Sequence, residues 1–380
     1  MGTRRLCVTA DTIDLNVIIT SADRLRALYG RAGGRDVLAA VARLSAARAA
    51  RGVASALVLA EQGAPRLGVL PAVVTPETIA AQIAALAQAL ERGGDALESL
   101  LIVGGPEIVP FHPAANPTAY DGDDTIPGDC YYGACNPFAL LPDWPVGRIP
   151  GAAGGDPSLL LRLLEYAAQP APPPAPQRKV FGYATAVWRQ SSASVYAEID
   201  RPDQLLLSPP TLATNLDLRR LDGARLIYCN LHGVLEGPPW YGQSEDHPAL
   251  VVALRPSDLA GLDLRGAVVI SEACYGAAIS GRDQHSSLAL AFLAQGVAGF
   301  VGATAISYGP AMPPPGEADL IALHFLRAIK QPGVTLGAAF VAARAGMLRD
   351  TLARQLTLDE DDQKTLLEFV LYGDPTCVVV

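Results

Sequence analysis

The sequence predicts an α/β fold: a mainly parallel sheet with helices on both faces, laid out in two similar halves. Three observations predict it. Short apolar runs rich in β-branched residues alternate with helix-length segments through most of the chain, as in strands joined by crossover helices. Those runs are apolar at consecutive positions rather than at every second one, which suits strands covered on both faces. The alternation also occurs twice, on either side of Pro170-Ala171-Pro172-Pro173-Pro174-Ala175-Pro176, a stiff connector of polyproline type. The division expected is therefore 1–170 and 171–380.

In chain order, the first half offers strands at Asn16–Ile19, Ala54–Leu59 and Leu100–Val103, with helices from Asp36 to Arg51 and from Pro76 to Arg92. The second half offers strands at Val180–Val187, Leu226–Leu231, Ala267–Ile270, Phe300–Thr304 and Thr376–Val380. Between them lie helices at Ser286–Gln295, Glu317–Lys330 and Leu336–Gln355. The stretch from Leu288 to Ile306 approaches the length of a membrane span. Gly296, Gly299 and Gly302 break it, so it reads as a buried helix capped by Ser286 or Ser287, followed by a strand, and no membrane partner is expected.

With 380 residues, half of them hydrophobic, the chain exceeds what one core usually holds. The net charge is −9 and none of the 29 basic residues forms a long run, which argues against nucleic acid as a partner, because neutralising phosphates requires clustered Lys and Arg. The N-terminal stretch Met1–Asp11 lacks the apolar core and cleavage site of a secretory signal. Six scattered cysteines are too few for a disulfide framework in a chain of this size. Both observations point to the cytoplasm. There is no P-loop, Gly-x-Gly-x-x-Gly, Gly-x-Ser-x-Gly or His-Glu-x-x-His motif, and no cofactor is expected.

The chemistry concentrates in two short motifs that close neighbouring strands: Leu231-His232-Gly233, and Ser271-Glu272-Ala273-Cys274-Tyr275-Gly276-Ala277. In open α/β sheets, reactive groups collect at the carboxyl ends of strands. A thiol near its reference pKa of about 8.5 is only partly ionised at neutral pH, and an adjacent imidazole raises the reactive fraction. Cys274 is thus a candidate nucleophile and His232 a candidate base and acid. Gly233, lacking a Cβ, lets its backbone N–H approach an oxyanion, and the Cys274 N–H supplies a second donor. Cys229, inside its strand, reads instead as an inert small hydrophobe. The reaction class is acyl transfer.

His-Gly after one strand and Glu-Ala-Cys-Tyr-Gly after the next resemble the dyad of the caspase-like cysteine peptidases, and most of all the gingipain family. Leu100–Gly105 followed by Ile108-Val109-Pro110, Gly128–Gly133, Pro145–Ile149 and Tyr372-Gly373-Asp374-Pro375-Thr376 are similar to other motifs of that family, so the resemblance runs from about residue 98 to the end. It implies a three-layer caspase/gingipain-like sandwich whose first half is non-catalytic and whose second half carries the site. It also implies a cysteine endopeptidase acting on protein or peptide through a thioester on Cys274, with His232 as general base and acid and the N–H groups of Gly233 and Cys274 as oxyanion donors. Tyr308 falls where arginine-specific gingipains set an aromatic residue against the substrate. With Ser307 beside it and Trp188 in the pocket region, it makes up the implied substrate-binding set. A loop aromatic covering the sheet end is the other reading of Tyr308.

Two departures from the family matter. The stretch Trp188-Arg189-Gln190-Ser191-Ser192-Ala193-Ser194 carries no carboxylate before Glu198, so specificity for basic side chains is not inherited. A cation buried there would lack a counter-charge. The acidic residue that assists the histidine is also missing at Val187 and Trp188, which leaves a backbone carbonyl to orient His232. The acidic loop Tyr120-Asp121-Gly122-Asp123-Asp124 offers oxygen ligands to Ca²⁺ but lacks the spacing and closing glutamate of an EF-hand, and reads as a solvated loop. His247, His285 and His324 are expected on the surface or on helices. The alternative to an active peptidase is a latent or non-catalytic signalling module that needs a protein partner or trigger.

Overall fold

The computed structural model describes residues 14–136, 139–170, 179–246 and 248–379. The N-terminal stretch Met1–Asp11, most of the proline connector, His247 and Val380 lie outside them. Ten strands form one sheet: β1 (Asp14–Thr20), β2 (Ser55–Leu59), β3 (Ala96–Val103), β6 (Val146–Ile149), β7 (Val180–Thr185), β8 (Leu206–Ser208), β9 (Leu226–Asn230), β13 (Val268–Ser271), β14 (Gly299–Ala303) and β15 (Phe369–Gly373). Outside that sheet, β4 (His112–Ala115) and β5 (Thr125–Gly128) form a ribbon, and β10 (His232–Val234), β11 (Gly237–Gly242) and β12 (Val251–Leu254) form a small antiparallel sheet. The helices are α1 (Ala22–Ala50), α2 (Pro76–Gly93), α3 (Ser158–Ala168), α4 (Arg189–Tyr196), α5 (Leu288–Ala294), α6 (Glu317–Ile329), α7 (Leu336–Gln355) and α8 (Glu360–Glu368).

The strand order is β2-β1-β3-β6-β15-β14-β13-β9-β7-β8. Every neighbouring pair is parallel except β14 and β15. The sheet thus consists of two parallel runs of opposite direction that meet at one antiparallel seam. Side chains alternate between faces along each strand, which separates two cores in the second half. Ile227, Cys229 and Val269 pack with α5 on one face, and Leu226, Tyr228, Val268 and Ile270 pack with α4, α6 and α7 on the other. The result is the three-layer sandwich expected from the unbroken apolar runs.

Three local features differ from the sequence reading. The first helix begins at Ala22 rather than Asp36, and Gly30, at φ 72°, interrupts it, so a glycine with left-handed backbone hides the first turns from a periodicity search. The last strand is Phe369–Gly373 and not Thr376–Val380. The side chain of Asp374 accepts the Thr376 N–H and hydroxyl at 2.9 and 2.7 Å, and that turn ends the strand. In the loop at Tyr120–Asp124 two carboxylates are withdrawn from solvent, the side chains of Asp121 and Asp123 being 4% and 8% exposed, whereas Asp124 is exposed. In the stretch considered for a membrane span, α5 is only seven residues long, capped by Ser287, and no helix among the described residues is long and apolar enough to cross a membrane.

β15 lies far along the chain from β6, yet it pairs with it, so a single sheet unites the stretches before and after the connector. Buried ion pairs reinforce this seam. Arg148 on β6 meets Asp129 with its Nε at 2.8 Å and also donates to the carbonyls of Gly104 and Val109. Arg48 on α1 meets Asp374 just after β15. Both aspartates belong to motifs that carry the family resemblance, Gly128–Gly133 and Tyr372–Thr376. Their work is to satisfy buried guanidinium groups.

Candidate active site

β9 and β13 are adjacent and parallel, with Cys229 opposite Ser271, so the residues that follow them leave the sheet side by side at its carboxyl end. His232 starts β10 two positions after the end of β9, and Cys274 follows β13 by three positions. The backbone of Gly233 lies so close that a Cβ there would collide with the carbonyl oxygen of Cys274. Glycine is required at 233 for this approach. The Cys274 thiol donates to the Ser307 carbonyl at 3.4 Å, and the Ser307 N–H points back at the sulfur at 3.4 Å. The Cys274 N–H makes no backbone hydrogen bond to a described residue. Trp188 packs on the His232 ring, centroid to centroid 4.2 Å. The sequence-predicted set Trp188, His232, Gly233, Cys274 and Ser307 is therefore joined by direct contacts. Tyr308 follows Ser307 but turns its hydroxyl to Asp121 at 2.9 Å.

Burial sets the protonation of the pair. It pushes the Cys274 thiol up to about 11, against the partial relief of its hydrogen bonding to Ser307. It holds His232 below the usual imidazole range, while a hydrogen bond to the Gln243 side chain acts in the opposite sense. At neutral pH the resting pair is thus a thiol and a neutral imidazole. Gln243 anchors its own amide on the Pro248 carbonyl at 2.6 Å. His232 Nε2 is buried and has no hydrogen-bond partner among the described residues, which leaves it free for a proton in transit.

The structure adds groups that sequence reading missed. Glu272, two residues before Cys274, sits buried beside Asp319 at the start of α6. Burial raises both carboxyl groups, and their proximity raises Glu272 further while stabilising the Asp319 anion. Ser191 donates to Asp319, and Asn230 donates to Ser192 at 3.1 Å. Carboxylates absent from the stretch after β7 thus arrive from two other segments, which no local search around Trp188 reveals. On the other flank, Lys364 is fully buried, pairs with Asp121 and lies 2.7 Å from Asp123, with its ammonium 5.5 Å from the Tyr308 ring. Burial opposes its charge, and the two aspartates outweigh that and keep it protonated. Asp121 and Asp123, in the loop read from the sequence as solvated, are thus engaged by an ammonium. No group of three or more His, Cys, Asp or Glu side chains among the described residues is arranged for a metal. His324 is buried on α6 and bonded to Asp350 at 2.8 Å.

Three solved structures resemble the chain over nearly its whole length. One, described as "Structure of Protease", superposes with a TM-score of 0.67 at 14% identity and covers 96% of this chain and 78% of its own. Another, the Arg-specific cysteine proteinase gingipain R (RgpB), gives 0.64 at 13% identity, with the same coverage of 96% and 78%. A complex of the Porphyromonas gingivalis RgpB pro- and mature domains gives 0.64 at 13% identity, covering 96% of this chain and 79% of that one. At such identities the likeness establishes the caspase-like fold shared with gingipain. No curated protein matches the sequence. The family model matches residues 10–201 and 250–380, which include Cys274, whereas His232 and Gly233 fall in the intervening segment. The match spans most of the sequence, and the chain belongs to peptidase family C25.

Proposed function

We propose that the protein is a cysteine endopeptidase in which Cys274 is the nucleophile and His232 the general base and acid. One observation carries the reading: the motifs that end two adjacent parallel strands meet, with Gly233 packed on the backbone of Cys274. In the forward reaction, the Cys274 sulfur attacks a peptide carbonyl carbon while its proton passes to His232. The oxyanion that forms is met by the N–H groups of Gly233 and Cys274. Collapse of the tetrahedral adduct breaks the C–N bond, His232 protonates the leaving amine, and water attacks the thioester with His232 again as base. Trp188, Ser307 and Tyr308 border the pair and are assigned to the substrate. The described cysteines are all unpaired thiols, which suits a reducing cytoplasm.

The test is cleavage of an unbiased peptide library read by mass spectrometry. The wild-type chain cleaves and Cys274→Ala does not, while both melt alike. Cleavage retained by Cys274→Ala removes this residue from the mechanism. A second reading, a latent module that waits for a protein partner, draws on the resting sulfur being held by the Ser307 backbone and kept protonated by burial. Labelling of Cys274 by a reactive thiol probe without peptide turnover favours that reading.

A further inference from the structure

The loop between β4 and β5 reaches across from the half of the chain that lacks the nucleophile. It is internally knit: Asn116 Nδ2 donates to Asp121 Oδ1 at 2.6 Å and to the carbonyls of Thr118 and Asp123 at 3.0 and 2.8 Å. Its carboxylates therefore have set directions. Asp123 accepts three donors: the Ile306 N–H at 2.8 Å, the Tyr275 hydroxyl at 2.7 Å and Lys364 Nζ at 2.7 Å. Asp121 accepts the Tyr308 hydroxyl and Lys364.

What Asp123 holds lies on both sides of the sulfur. Tyr275 directly follows Cys274 and sits at φ 54°, a left-handed conformation that side-chain-bearing residues adopt only when their surroundings impose it. Ile306 directly precedes Ser307, whose N–H and carbonyl bracket the thiol. A single carboxylate thus ties the turn after the nucleophile to the segment that confines it. The seam between β6 and β15 and the Arg48–Asp374 pair already join the two halves, so holding the halves together does not account for bonds placed at Ile306 and Tyr275.

We propose that Asp123 is a positioning residue for the reaction at Cys274, with Lys364 as its counter-ion. It fixes Tyr275 and Ile306–Ser307 in the register that presents the sulfur and the Cys274 N–H to a substrate carbonyl. The first half then completes the site rather than merely accompanying it. This rests on the peptidase reading above, and the measurements separate the two.

In the full chain, Asp123→Asn lowers kcat by about tenfold or more with KM within about twofold, since misplacement of a reacting group by a fraction of an ångström slows the chemical step and leaves binding intact. The same variant is alkylated at Cys274 by iodoacetamide about threefold faster, because a loosened Ser307 segment frees and rehydrates the thiol. A purely structural role lowers kcat only in proportion to the folded fraction, while its unfolded molecules alkylate faster because their thiol is exposed at its ordinary pKa. A kcat per folded molecule equal to wild type, the folded fraction being read by circular dichroism, overturns the proposal. Should Asp123→Asn fail to fold, Tyr275→Phe removes one donor and keeps the ring. It carries the same expectation at about threefold in kcat, and wild-type values for both rates overturn the proposal. If the wild-type chain cleaves no peptide, the peptidase reading fails by itself, and alkylation alone decides: rates unchanged in both variants overturn the positioning role.

Discussion

Arg48 and Asp374, 326 positions apart, form a buried two-pronged ion pair, with Nε donating to Oδ2 at 2.9 Å and a second nitrogen donating to Oδ1. The side chains are 1% and 4% exposed. Asp374 also closes the turn after β15 through Thr376, so one carboxylate serves the guanidinium and the chain reversal together. Removing it leaves a buried cation without a counter-charge, held among the described residues only by the Ser55 hydroxyl at 3.3 Å. Asp374→Ala is expected to destabilise the fold by about 3–5 kcal/mol, measured by urea unfolding at pH 7. A loss below about 1 kcal/mol would show that water reaches Arg48.

Gly233 carries a sharper expectation about activity. An added Cβ meets the Cys274 carbonyl and, next, the Ala273 Cβ, so Gly233→Ala displaces the histidine motif from the cysteine motif. Overpacking of this kind costs about 1–3 kcal/mol of stability, whereas a shift of about 1 Å in a reacting pair costs about a hundredfold in rate. Steady-state kinetics should show kcat/KM down by about two orders of magnitude in a protein that still unfolds cooperatively. An active Gly233→Ala enzyme would separate the two motifs functionally.

The contrast between these residues shows which parts of the molecule are legible in the sequence. Helices such as Leu336–Gln355 and strands such as Leu226–Asn230 announce themselves through local patterning and caps, and the structure returns them with nearly the same bounds. His232, Gly233 and Cys274 are legible because strand ends expose short motifs. Asp319, Asp123 and Lys364 are not, because each reaches the site through a tertiary pairing with no local period: α6 against β13, the β4–β5 loop against Ile306, α8 against that loop. Local apolarity favours Thr376–Val380 over Phe369–Gly373 as the last strand, but the choice is decided by partners β6 and β14, and by the Asp374 turn.

Glu272 and Asp319 make stability depend on pH in a direction opposite to most carboxylates. Their folded pKa values lie above the ordinary ones, so the native state binds more protons than the unfolded chain once the pH exceeds about 4. Stability therefore falls as pH rises from there toward the folded values. Glu272→Gln keeps the shape and removes that titration. Relative to wild type it should gain stability between pH 5 and pH 8, by about 1 kcal/mol or more, since a tenfold difference in proton affinity between the folded and unfolded chain corresponds to about 1.4 kcal/mol. Urea unfolding at the two pH values checks this, and an equal difference at both would mean that Glu272 is already ionised in the fold.

The resting thiol gives the last expectation. With Cys274 raised to about 11 by burial and His232 held below the usual imidazole range, the free enzyme holds no thiolate–imidazolium pair at neutral pH. The thiolate fraction then grows about tenfold for each step of one in pH below the thiol pKa. Alkylation of Cys274 by iodoacetamide should accordingly climb by about a thousandfold from pH 7 to pH 10, followed by mass spectrometry of the labelled peptide. A preformed ion pair would instead level off once His232 and Cys274 had exchanged their proton, near or below pH 7. A plateau would therefore contradict the neutral dyad, whereas a continuous rise places activation of the sulfur in the substrate complex, where an incoming peptide displaces it from the Ser307 backbone and brings His232 Nε2 into use.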